Sequence, residues 1–339
     1  NSLYALQMMN LLNIMRALAD PTRLRIAFLV LRLELSVGEL VQILDQSQPR
    51  VSRHIRILDE AGLLERRKEG SWVFLRPAAI LTDSPVASLL AEADVSQGKA
   101  FQRDVLRLDE VRSARTDMAA AYFAAHADEW DSLRSLHIAD SEVEARLAHI
   151  LHSAPLGRFL DVGTGTGRIV ELFAGASARF VAVDNSPEML RLARAKIANL
   201  SPEIANKVDI KLGDFNMLPV GDAEFDTVIF HQVLHYAQHP EAVIAEAIRT
   251  LAPGGRLVIV DFAAHNLEEL RTVHAHARLG FTDDFMKKTF ASQGLQLVHQ
   301  TALEAGELVI KVWMGQKLSG AQPSPKSGLR PEDNLRIVA

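Results

Sequence analysis

The sequence of 339 residues contains no cysteine, which excludes disulfide bonds, thiolate metal sites and cysteine nucleophiles. It also lacks any apolar run of about 18 residues, so we expect no transmembrane helix. The first residues, Asn1 to Gln7, show no basic segment before an apolar one, so we expect no secretion signal and a cytoplasmic protein. Aromatic residues are few, but a hydrophobic share of 48% is typical of folded domains, and the length predicts two or three of them.

The charge of the chain is unevenly distributed. A net charge of −5 argues against nucleic-acid binding by the chain as a whole. From Leu12 to Ala78, however, 11 lysine and arginine residues stand against 8 acidic residues, a net charge of +3 that leaves −8 for the rest. The basic excess therefore lies near the N-terminus.

Two short helices joined by a tight turn are predicted in this basic part. Ser36-Val37-Gly38-Glu39 is a capping box that begins a helix ending near Leu44. Ser47 can cap the next helix, Pro49 lies in its first turn, and Gly62 ends it. This arrangement is typical of a helix-turn-helix.

The second of these helices has a polar face suited to DNA. Arginine can read guanine in the major groove, glutamine can read adenine, and serine can hold phosphate. A solvated helix face would have a similar composition, but residues 63–76 predict a β-hairpin with a basic tip, and such a wing favours DNA binding. The candidate DNA-binding residues are Gln48, Arg50, Ser52, Arg53, His54 and Arg56 on the helix, and Arg67 and Lys68 on the wing.

Three segments of this part, residues 17–26, 51–58 and 61–64, resemble the winged helix-turn-helix of the ArsR family of dimeric repressors. The resemblance implies a homodimer that binds a double-stranded DNA operator, with Leu3 to Ala17 and residues 101–130 as candidate dimer interfaces. Metal-sensing members carry cysteines beside the first helix of the motif, whereas residues 35–40 contain none. We therefore expect no metal site and no arsenic or antimony sensing.

A second pattern runs through the C-terminal half. Phe159 to Gly167, Phe-Leu-Asp-Val-Gly-Thr-Gly-Thr-Gly, predicts a buried strand that turns through a nucleotide-binding loop into a helix. Arg179 to Asp184 is a second such strand, and its terminal acid stands where a ribose-binding carboxylate is expected. A dinucleotide site would need a small residue where Arg168 stands, whereas Asp161 suits an ammonium group. Two acids around an adenosine and an amino acid indicate S-adenosylmethionine.

Residues from about 140 to 315 resemble a class I methyltransferase domain, since Gly213-Asp214-Phe215, Phe225 to Tyr236 and Leu251 to Asp261 match its later motifs in order. The resemblance implies a Rossmann-like α/β fold and S-adenosylmethionine or S-adenosylhomocysteine as the bound cofactor. The candidate cofactor-binding residues are Asp161, Gly163, Thr164, Gly165, Gly167, Asp184, Asn185, Ser186, Met189, Asp214, Phe215, His231, Gln232 and Val233.

We therefore predict a multidomain protein with a winged helix-turn-helix, mostly α with a β-hairpin wing, in residues 1–80. A helical linker that serves as dimerisation or lid segment follows in 81–139, then a class I methyltransferase-like α/β domain in 140–316 and a disordered tail in 317–339. Residues 122–131 resemble a segment that covers the cofactor in many small-molecule methyltransferases. Tyr122 and Trp130 could line the pocket, and simple packing of their helix on the domain is an equal alternative.

Three functions remain open. A repressor could use S-adenosylmethionine or S-adenosylhomocysteine as its effector, and the resemblance associates this fused architecture with methionine-cycle genes. An active methyltransferase would align a small molecule with the sulfonium methyl, with His231, His235 and His265 as candidate bases. A mainly enzymatic protein with a degenerate DNA module is the third. We favour the repressor, and we assign no catalytic residue.

Overall fold

The N-terminal part of the chain folds as the predicted winged helix-turn-helix. The computed structural model describes residues 11–69, 72–82, 84–92, 98–127, 130, 140–305 and 308–318. Most of the candidate dimer interface from Leu3 to Ala17 and most of the predicted tail lie outside these ranges. Helical residues 11–18 lead into α1 (Pro21–Arg32), β1 (Leu35–Ser36), α2 (Val37–Leu44), α3 (Gln48–Glu60), β2 (Leu64–Glu69) and β3 (Trp72–Pro77).

Local sequence signals account for the helix ends. The Ser36 hydroxyl accepts a hydrogen bond from the backbone N–H of Glu39, whose carboxylate accepts one from the Ser36 N–H, so the predicted capping box is confirmed. Ser47 occupies the N-cap position of α3 but makes no side-chain capping bond. Gly62 follows α3 with φ +69°, the left-handed conformation that favours glycine. The three short strands form a sheet in the order β1-β3-β2.

A long helix joins the two halves of the molecule. The connecting elements are α4 (Ala79–Thr82), α5 (Pro85–Glu92) and α6 (Lys99–His126). The 28 residues of α6 extend over about 42 Å. Leu108 and Val111 belong to the core of the winged helix-turn-helix, whereas the Phe123 ring lies 4.7 Å from that of Tyr236 in the C-terminal half. Helix α6 therefore packs against both domains.

The C-terminal half is a seven-stranded α/β sandwich of the predicted Rossmann-like kind. Its sheet has the order β6-β5-β4-β7-β8-β10-β9, in which β4 to β8 run parallel and the last two strands pair antiparallel. The elements are α7 (Asp140–Leu151), β4 (Arg158–Val162), α8 (Arg168–Phe173), β5 (Arg179–Asp184), α9 (Pro187–Ala198), α10 (Pro202–Ala205), β6 (Val208–Leu212), β7 (Phe225–His231), α11 (Pro240–Thr250), β8 (Leu251–Phe262), α12 (Glu269–Thr272), α13 (Asp283–Ser292), β9 (Leu295–Ala305) and β10 (Leu308–Lys317).

The strand order determines where a ligand can enter. β4 lies between β5 and β7. The connection from β4 to β5 runs to one side of β4, and the later connection to β7 brings the chain to its other side. The loops after these three strands therefore leave a crevice between them. Both faces of the sheet are covered by apolar side chains, which form two separate hydrophobic clusters. Among the helices within the described ranges, none is long and apolar enough to span a bilayer.

Candidate functional site

The glycine-rich loop after β4 packs closely against the residues that follow β7. Gly163 has φ +73°, and a Cβ atom placed there would lie 2.3 Å from Cγ2 of Val233. Its N–H donates to the Val183 carbonyl oxygen at 2.8 Å, which ties the loop to the next strand. Any larger residue would push the loop away from β7, so the predicted glycine is required by both conformation and space.

Asp184 is held at the end of β5 by two backbone donors. Its carboxylate accepts hydrogen bonds from the N–H of Gly165 at 2.8 Å and from the N–H of Ser186 at 2.9 Å. Burial raises the pKa of Asp184, and the N–H groups of Ser186, Gly165 and Asn185 counteract part of that rise. The side chain also lines the cavity described below, where a carboxylate can accept further hydrogen bonds from hydroxyl groups.

Asp161 lies in β4, directly before the loop, and is fully buried. Neither carboxylate oxygen has a hydrogen-bond partner among the described residues. Burial raises the pKa of this carboxyl to about 7; the nearby Thr164 hydroxyl lowers it in part, and the charge of Asp184 adds to the rise. A buried carboxylate without a donor is costly, so this position fits a ligand that brings a donor or a positive charge to the loop.

The remaining predicted cofactor residues lie around the same crevice. Gln232 is a non-glycine residue with φ +54°, a costly conformation that its N–H bond to the Val260 carbonyl, at 2.7 Å, helps to hold. One carboxylate oxygen of Asp214 accepts two bonds from Asn216, both of 2.7 Å. Ser186 caps α9 by accepting from the Met189 N–H at 3.2 Å. All the predicted cofactor residues line one cavity except Asp161, Gly167 and Ser186, which are not part of its lining.

The cavity has a volume of about 460 Å³ and a second wall that the sequence did not predict. Trp130, predicted as a lining residue, faces it, while Tyr122 instead pairs its hydroxyl with Nδ1 of His274 at 2.6 Å. The lining residues of this second wall come from the end of α1 and the residue after it, from α6 and from the segment after β7. They are Arg32, Leu33, Arg112, Arg115, Phe123, Tyr236, Gln238 and His239.

An ion-pair network ties this second wall to both domains. Glu34 pairs with Arg67 of the wing and with Arg278 of the C-terminal domain, each at 2.6 Å. Burial would raise the pKa of Glu34, but the charges of Arg278 and Arg67 outweigh burial and hold the pKa below its usual value. Arg115 of α6 pairs with Glu39 of α2 and donates to Oε1 of Gln238 at 2.6 Å. The cavity therefore lies at the junction of the two domains.

Of the three histidines considered as candidate bases, His231 alone is a lining residue of the cavity. His235 is buried, its Nδ1 lies 2.8 Å from a carboxylate oxygen of Asp261, and its ring stacks on that of His276 at 4.0 Å. His265 does not line the cavity. Within the described part of the chain, no group of three or more histidine or acidic side chains is placed to hold a metal ion.

The predicted DNA-binding residues divide into two sets. Gln48, Arg50, Arg53, Arg56 and Lys68 are exposed, and Ser52 is half-buried. The His54 ring instead turns toward Asp20, 3.7 Å away, and burial lowers the pKa of His54. The Arg67 side chain donates a hydrogen bond to the Glu34 carboxylate at 2.6 Å. The exposed set forms a basic face on α3 and the wing, and the other two side chains mainly make contacts within the molecule.

Fold and cavity define a class of protein: a winged helix-turn-helix joined to a class I methyltransferase domain. A family model described as the arsR family of bacterial regulatory proteins matches residues 20–66, and one described as a methyltransferase domain matches residues 160–259. The chain thus belongs to the ArsR family in its N-terminal domain and to the methyltransferase family in its C-terminal domain.

Individual relatives match one domain or the other. The arsenic resistance transcriptional regulator ArsR1 of Pseudomonas putida is 39% identical over 99 residues, which cover 29% of this chain and 77% of that protein. The arsenical resistance operon repressor of Escherichia coli is 50% identical over 66 residues, covering 19% of this chain and 56% of that protein. The phosphatidylethanolamine N-methyltransferase of Cereibacter sphaeroides is 32% identical over 177 residues, covering 50% of this chain and 85% of that protein.

Proposed function

We propose that this protein is a transcriptional repressor whose methyltransferase domain binds S-adenosylhomocysteine or S-adenosylmethionine as an effector and which controls genes of the methionine cycle. The observation that carries the proposal is the single cavity lined by both domains. A ligand in that cavity contacts the glycine-rich loop and the end of α1 together. Its binding free energy can therefore depend on how the domains are arranged, which is the requirement for a ligand-controlled switch.

The residues of the crevice suit this effector. We propose that Asp184 accepts hydrogen bonds from the ribose hydroxyls and Asp214 from the adenine amino group. Asp161, which is buried outside the cavity lining, attracts the ammonium group by its charge. Phe215 and Met189 offer apolar surface to the adenine. When the ligand is S-adenosylmethionine it also supplies an activated methyl group, and the repressor function has no need of that chemistry.

DNA binding is proposed for the basic face of α3 and the wing. Its exposed arginines can contact phosphates and guanine edges, and a homodimer in the cytoplasm would place two such helices on paired half-sites. The names of two relatives refer to arsenic resistance. We do not extend arsenic sensing to this chain because its sequence contains no cysteine to supply thiolate ligands.

Glu34 is the residue that we propose couples the ligand to DNA. It holds Arg67 of the wing and Arg278 of the methyltransferase domain at the same time, so a shift of one domain changes the position of the wing. The variant Glu34→Gln should keep binding both ligand and DNA and lose most of the ligand-dependent change in DNA affinity. A full ligand response in this variant would exclude the coupling role.

The first test is calorimetric titration of the purified protein with S-adenosylmethionine and S-adenosylhomocysteine, followed by a DNA-shift assay on its own upstream region with each ligand. We expect one of the two ligands to bind and to change the affinity for DNA in the absence of any methyl acceptor. Binding of both ligands without any effect on DNA would contradict the repressor model.

The alternative is an active methyltransferase on a small molecule. His231 favours it, because this histidine lies at the carboxyl end of β7 and lines the cavity, where a neutral imidazole could take a proton from an acceptor. Formation of S-adenosylhomocysteine from S-adenosylmethionine in a screen of acceptors would support this function. Ligand-controlled DNA binding without turnover would exclude it.

A further inference from the structure

The cavity extends past the glycine-rich loop to a second region on the β7 side of the sheet. Asp214, proposed above to bind adenine, follows β6, whereas Gln232 follows β7, three strands away. Neighbouring strands lie about 4.8 Å apart, so these two residues are separated by about 14 Å along the crevice. We call the β7 end the aromatic subsite and define it by Gln232, Tyr236, Phe123 and Trp130.

Three aromatic rings enclose this subsite. The Phe123 ring lies edge-on to that of Tyr236, with 4.7 Å between the ring centroids, and edge-on to that of Trp130, with 5.4 Å. The Trp130 indole nitrogen would lie 3.6 Å from a Cβ atom at Gly165, so the subsite adjoins the glycine-rich loop. All three aromatic residues are half-buried and line the cavity, which leaves part of their apolar surface available to a ligand there.

Gln232 brings a hydrogen-bonding side chain to the same place. Only 9% of its surface is exposed, and its carboxamide makes no hydrogen bond to any residue in the described ranges. A buried carboxamide without a partner is costly. The backbone of Gln232 has φ +54°, a second cost of the kind that persists at functional sites. Because the residue lines the cavity, a ligand there can supply the missing partners.

The carboxamide determines what such a ligand must offer. It presents an N–H donor and a C=O acceptor side by side, so it pairs best with a planar edge that carries an acceptor next to a donor. Lactams and amino-substituted nitrogen heterocycles have such an edge, and their flat rings suit contact with aromatic side chains.

A cation is the other ligand that aromatic rings can bind. The cavity lining has two carboxylates, Asp184 and Asp214, and these lie at the end of β5 and after β6, away from the three rings. Lining residues therefore place no acid at the subsite to favour a cation. The neutral heterocycle also uses the Gln232 carboxamide, which a quaternary ammonium group cannot pair with.

We propose that the aromatic subsite binds a second ligand beside the cofactor, a neutral planar nitrogen heterocycle whose donor–acceptor edge pairs with the carboxamide of Gln232. This inference rests on the proposed function only in taking the adjoining crevice as the cofactor site, and it assigns Gln232 to the second ligand. Because Phe123 belongs to α6, which also packs in the core of the winged helix-turn-helix through Leu108 and Val111, the ligand contacts the helix that joins the two domains.

The test measures, by calorimetry, the binding of two heterocycles to the full-length protein saturated with S-adenosylhomocysteine. The first, 1-isoquinolone, carries a lactam edge and is compared with its N-methyl derivative, which lacks the N–H donor. The second, 4-aminoquinazoline, carries an amino group next to a ring nitrogen and is compared with quinazoline. The probe 2-piperidone keeps the lactam edge without an aromatic ring, and choline is the cationic probe.

Four variants are compared with the unchanged protein. Gln232→Leu removes the carboxamide at nearly constant volume, and Phe123→Leu removes one ring of the subsite. Gln300→Leu, at an exposed position of β9, is the matched control for the first. Asp214→Ala reports on any binding of the heterocycles at the adenine end of the crevice. Thermal unfolding shows whether each variant is folded.

We expect at least one heterocycle to bind about tenfold or more tightly than its analogue without the N–H donor, because the buried carboxamide otherwise stays unpaired. Binding should weaken by about tenfold or more in Gln232→Leu and in Phe123→Leu and stay unchanged in Gln300→Leu and Asp214→Ala. Equal binding of a heterocycle and its analogue in both pairs, full binding in both test variants, tighter binding of choline or 2-piperidone, or no binding of either heterocycle would overturn the inference.

The outcome for the cofactor is separable from that for the subsite. If S-adenosylhomocysteine fails to bind, the same titrations are made on the free protein. Heterocycle binding that is lost in Gln232→Leu and kept in Asp214→Ala would show that the proposed effector is wrong and that the subsite stands. Binding that is lost in Asp214→Ala and kept in Gln232→Leu would place the heterocycle at the adenine end and overturn the inference.

Discussion

Helix α3 and the strand end before the glycine-rich loop both carry charged side chains without a hydrogen-bond partner among the described residues, but the surroundings of those side chains are opposite. Arg50, Arg53 and Arg56 of α3 are exposed, and their guanidinium groups make no hydrogen bond or ion pair to any described residue. Asp161 is also without a hydrogen-bond partner among those residues, but it is fully buried beneath the loop. Water solvates the arginines, whereas the carboxylate is shielded from water and the Thr164 hydroxyl offsets only part of the cost of its burial.

The difference shows how each region can recognise a ligand. Exposed guanidinium groups stay charged at little cost and suit a large polyanion that arrives from solution. Burial raises the pKa of the Asp161 carboxyl to about 7. Its charge near neutral pH therefore depends on pH and on the charge of a bound ligand. We therefore expect charge removal on α3 to change DNA binding and charge removal at the loop to change cofactor binding.

The largest effect is expected for Asp184→Ala, which removes the carboxylate that the loop and the ribose would share. Loss of two charge-assisted hydrogen bonds should weaken S-adenosylhomocysteine binding by roughly 100-fold or more. Calorimetry measures this, and DNA affinity without ligand should stay unchanged. Asp209→Ala, which removes an exposed acid on β6, is the control. Normal ligand affinity in the Asp184 variant would contradict the assignment of the crevice.

Arg53→Ala should weaken operator binding by about tenfold or more, because a phosphate or base contact is lost. If the lost contact is to a phosphate, the slope of the logarithm of the binding constant against the logarithm of salt concentration should become shallower by about one. Ligand affinity should remain that of the unchanged protein. The control is Arg179→Ala, since Arg179 is paired with Glu224 at 2.8 Å on the other domain. Unchanged DNA affinity after the Arg53 substitution would show that α3 is not the recognition helix.

Affinity for S-adenosylmethionine should rise with pH between 5.5 and 7, because Asp161 must lose its proton to meet the ammonium group. With a pKa of about 7, the ionised fraction increases from about 0.03 at pH 5.5 to about 0.5 at pH 7, or about 16-fold. Asp161→Asn should bind more weakly at pH 7 and show no such rise. Calorimetry at several pH values provides the measurement, and a rise that persists in the Asn variant would assign the titration to another group.

The same carboxyl has a consequence for stability. The pKa of Asp161 in the folded protein lies above 3.8, the usual value for an aspartate, so the folded state binds the proton more tightly than the unfolded state. Ionisation of Asp161 therefore lowers the stability of the free protein as pH rises from about 4 to 7. The melting temperature of Asp161→Asn, minus that of the unchanged protein, should increase as pH rises over this interval. A difference that stays constant with pH would contradict this prediction.

The smallest effect is expected for Arg158→Ala. This arginine pairs with Asp226 at 2.8 Å through side chains that are both exposed, and such pairs contribute about 0.5 kcal/mol. The melting temperature should fall slightly, and neither DNA nor ligand affinity should change. A change in either affinity would mean that the charge of Arg158 influences a distant binding site. The separation of DNA binding on α3 from ligand binding at the loop would then not hold.

What the sequence could predict is local in character. The capping box at Ser36, the glycines of the loop and the acid at the end of β5 are each specified within a few residues, since caps, turns and strand ends depend on neighbouring atoms. The fold class follows from the order of such signals along the chain. Even there, Ser47 occupies its predicted N-cap position without the side-chain bond, because sequence fixes the residue but not its rotamer.

What the sequence could not predict depends on how the domains dock. From the sequence alone, Arg32 is expected at the polar end of an ordinary helix, and Arg112 and Arg115 are expected on the solvent-exposed face of α6. Their place in the cavity follows from contacts between residues more than 70 positions apart, such as that of Arg115 with Glu39. His54 and Arg67 show the same limit, because the acids they face, Asp20 and Glu34, are distant in sequence.

The continuous helix α6 makes the two domains less modular than their separate families suggest. Leu108 and Val111 pack in the N-terminal domain and Phe123 packs against the C-terminal domain, and the helix runs without a break over its 28 residues. Adding a single residue in its middle would rotate everything beyond by about 100° and move Phe123 off the cavity. A chimera that exchanges either half for that of a relative must therefore preserve the phase of α6 as well as the two folds, so the two domains must be engineered as one unit.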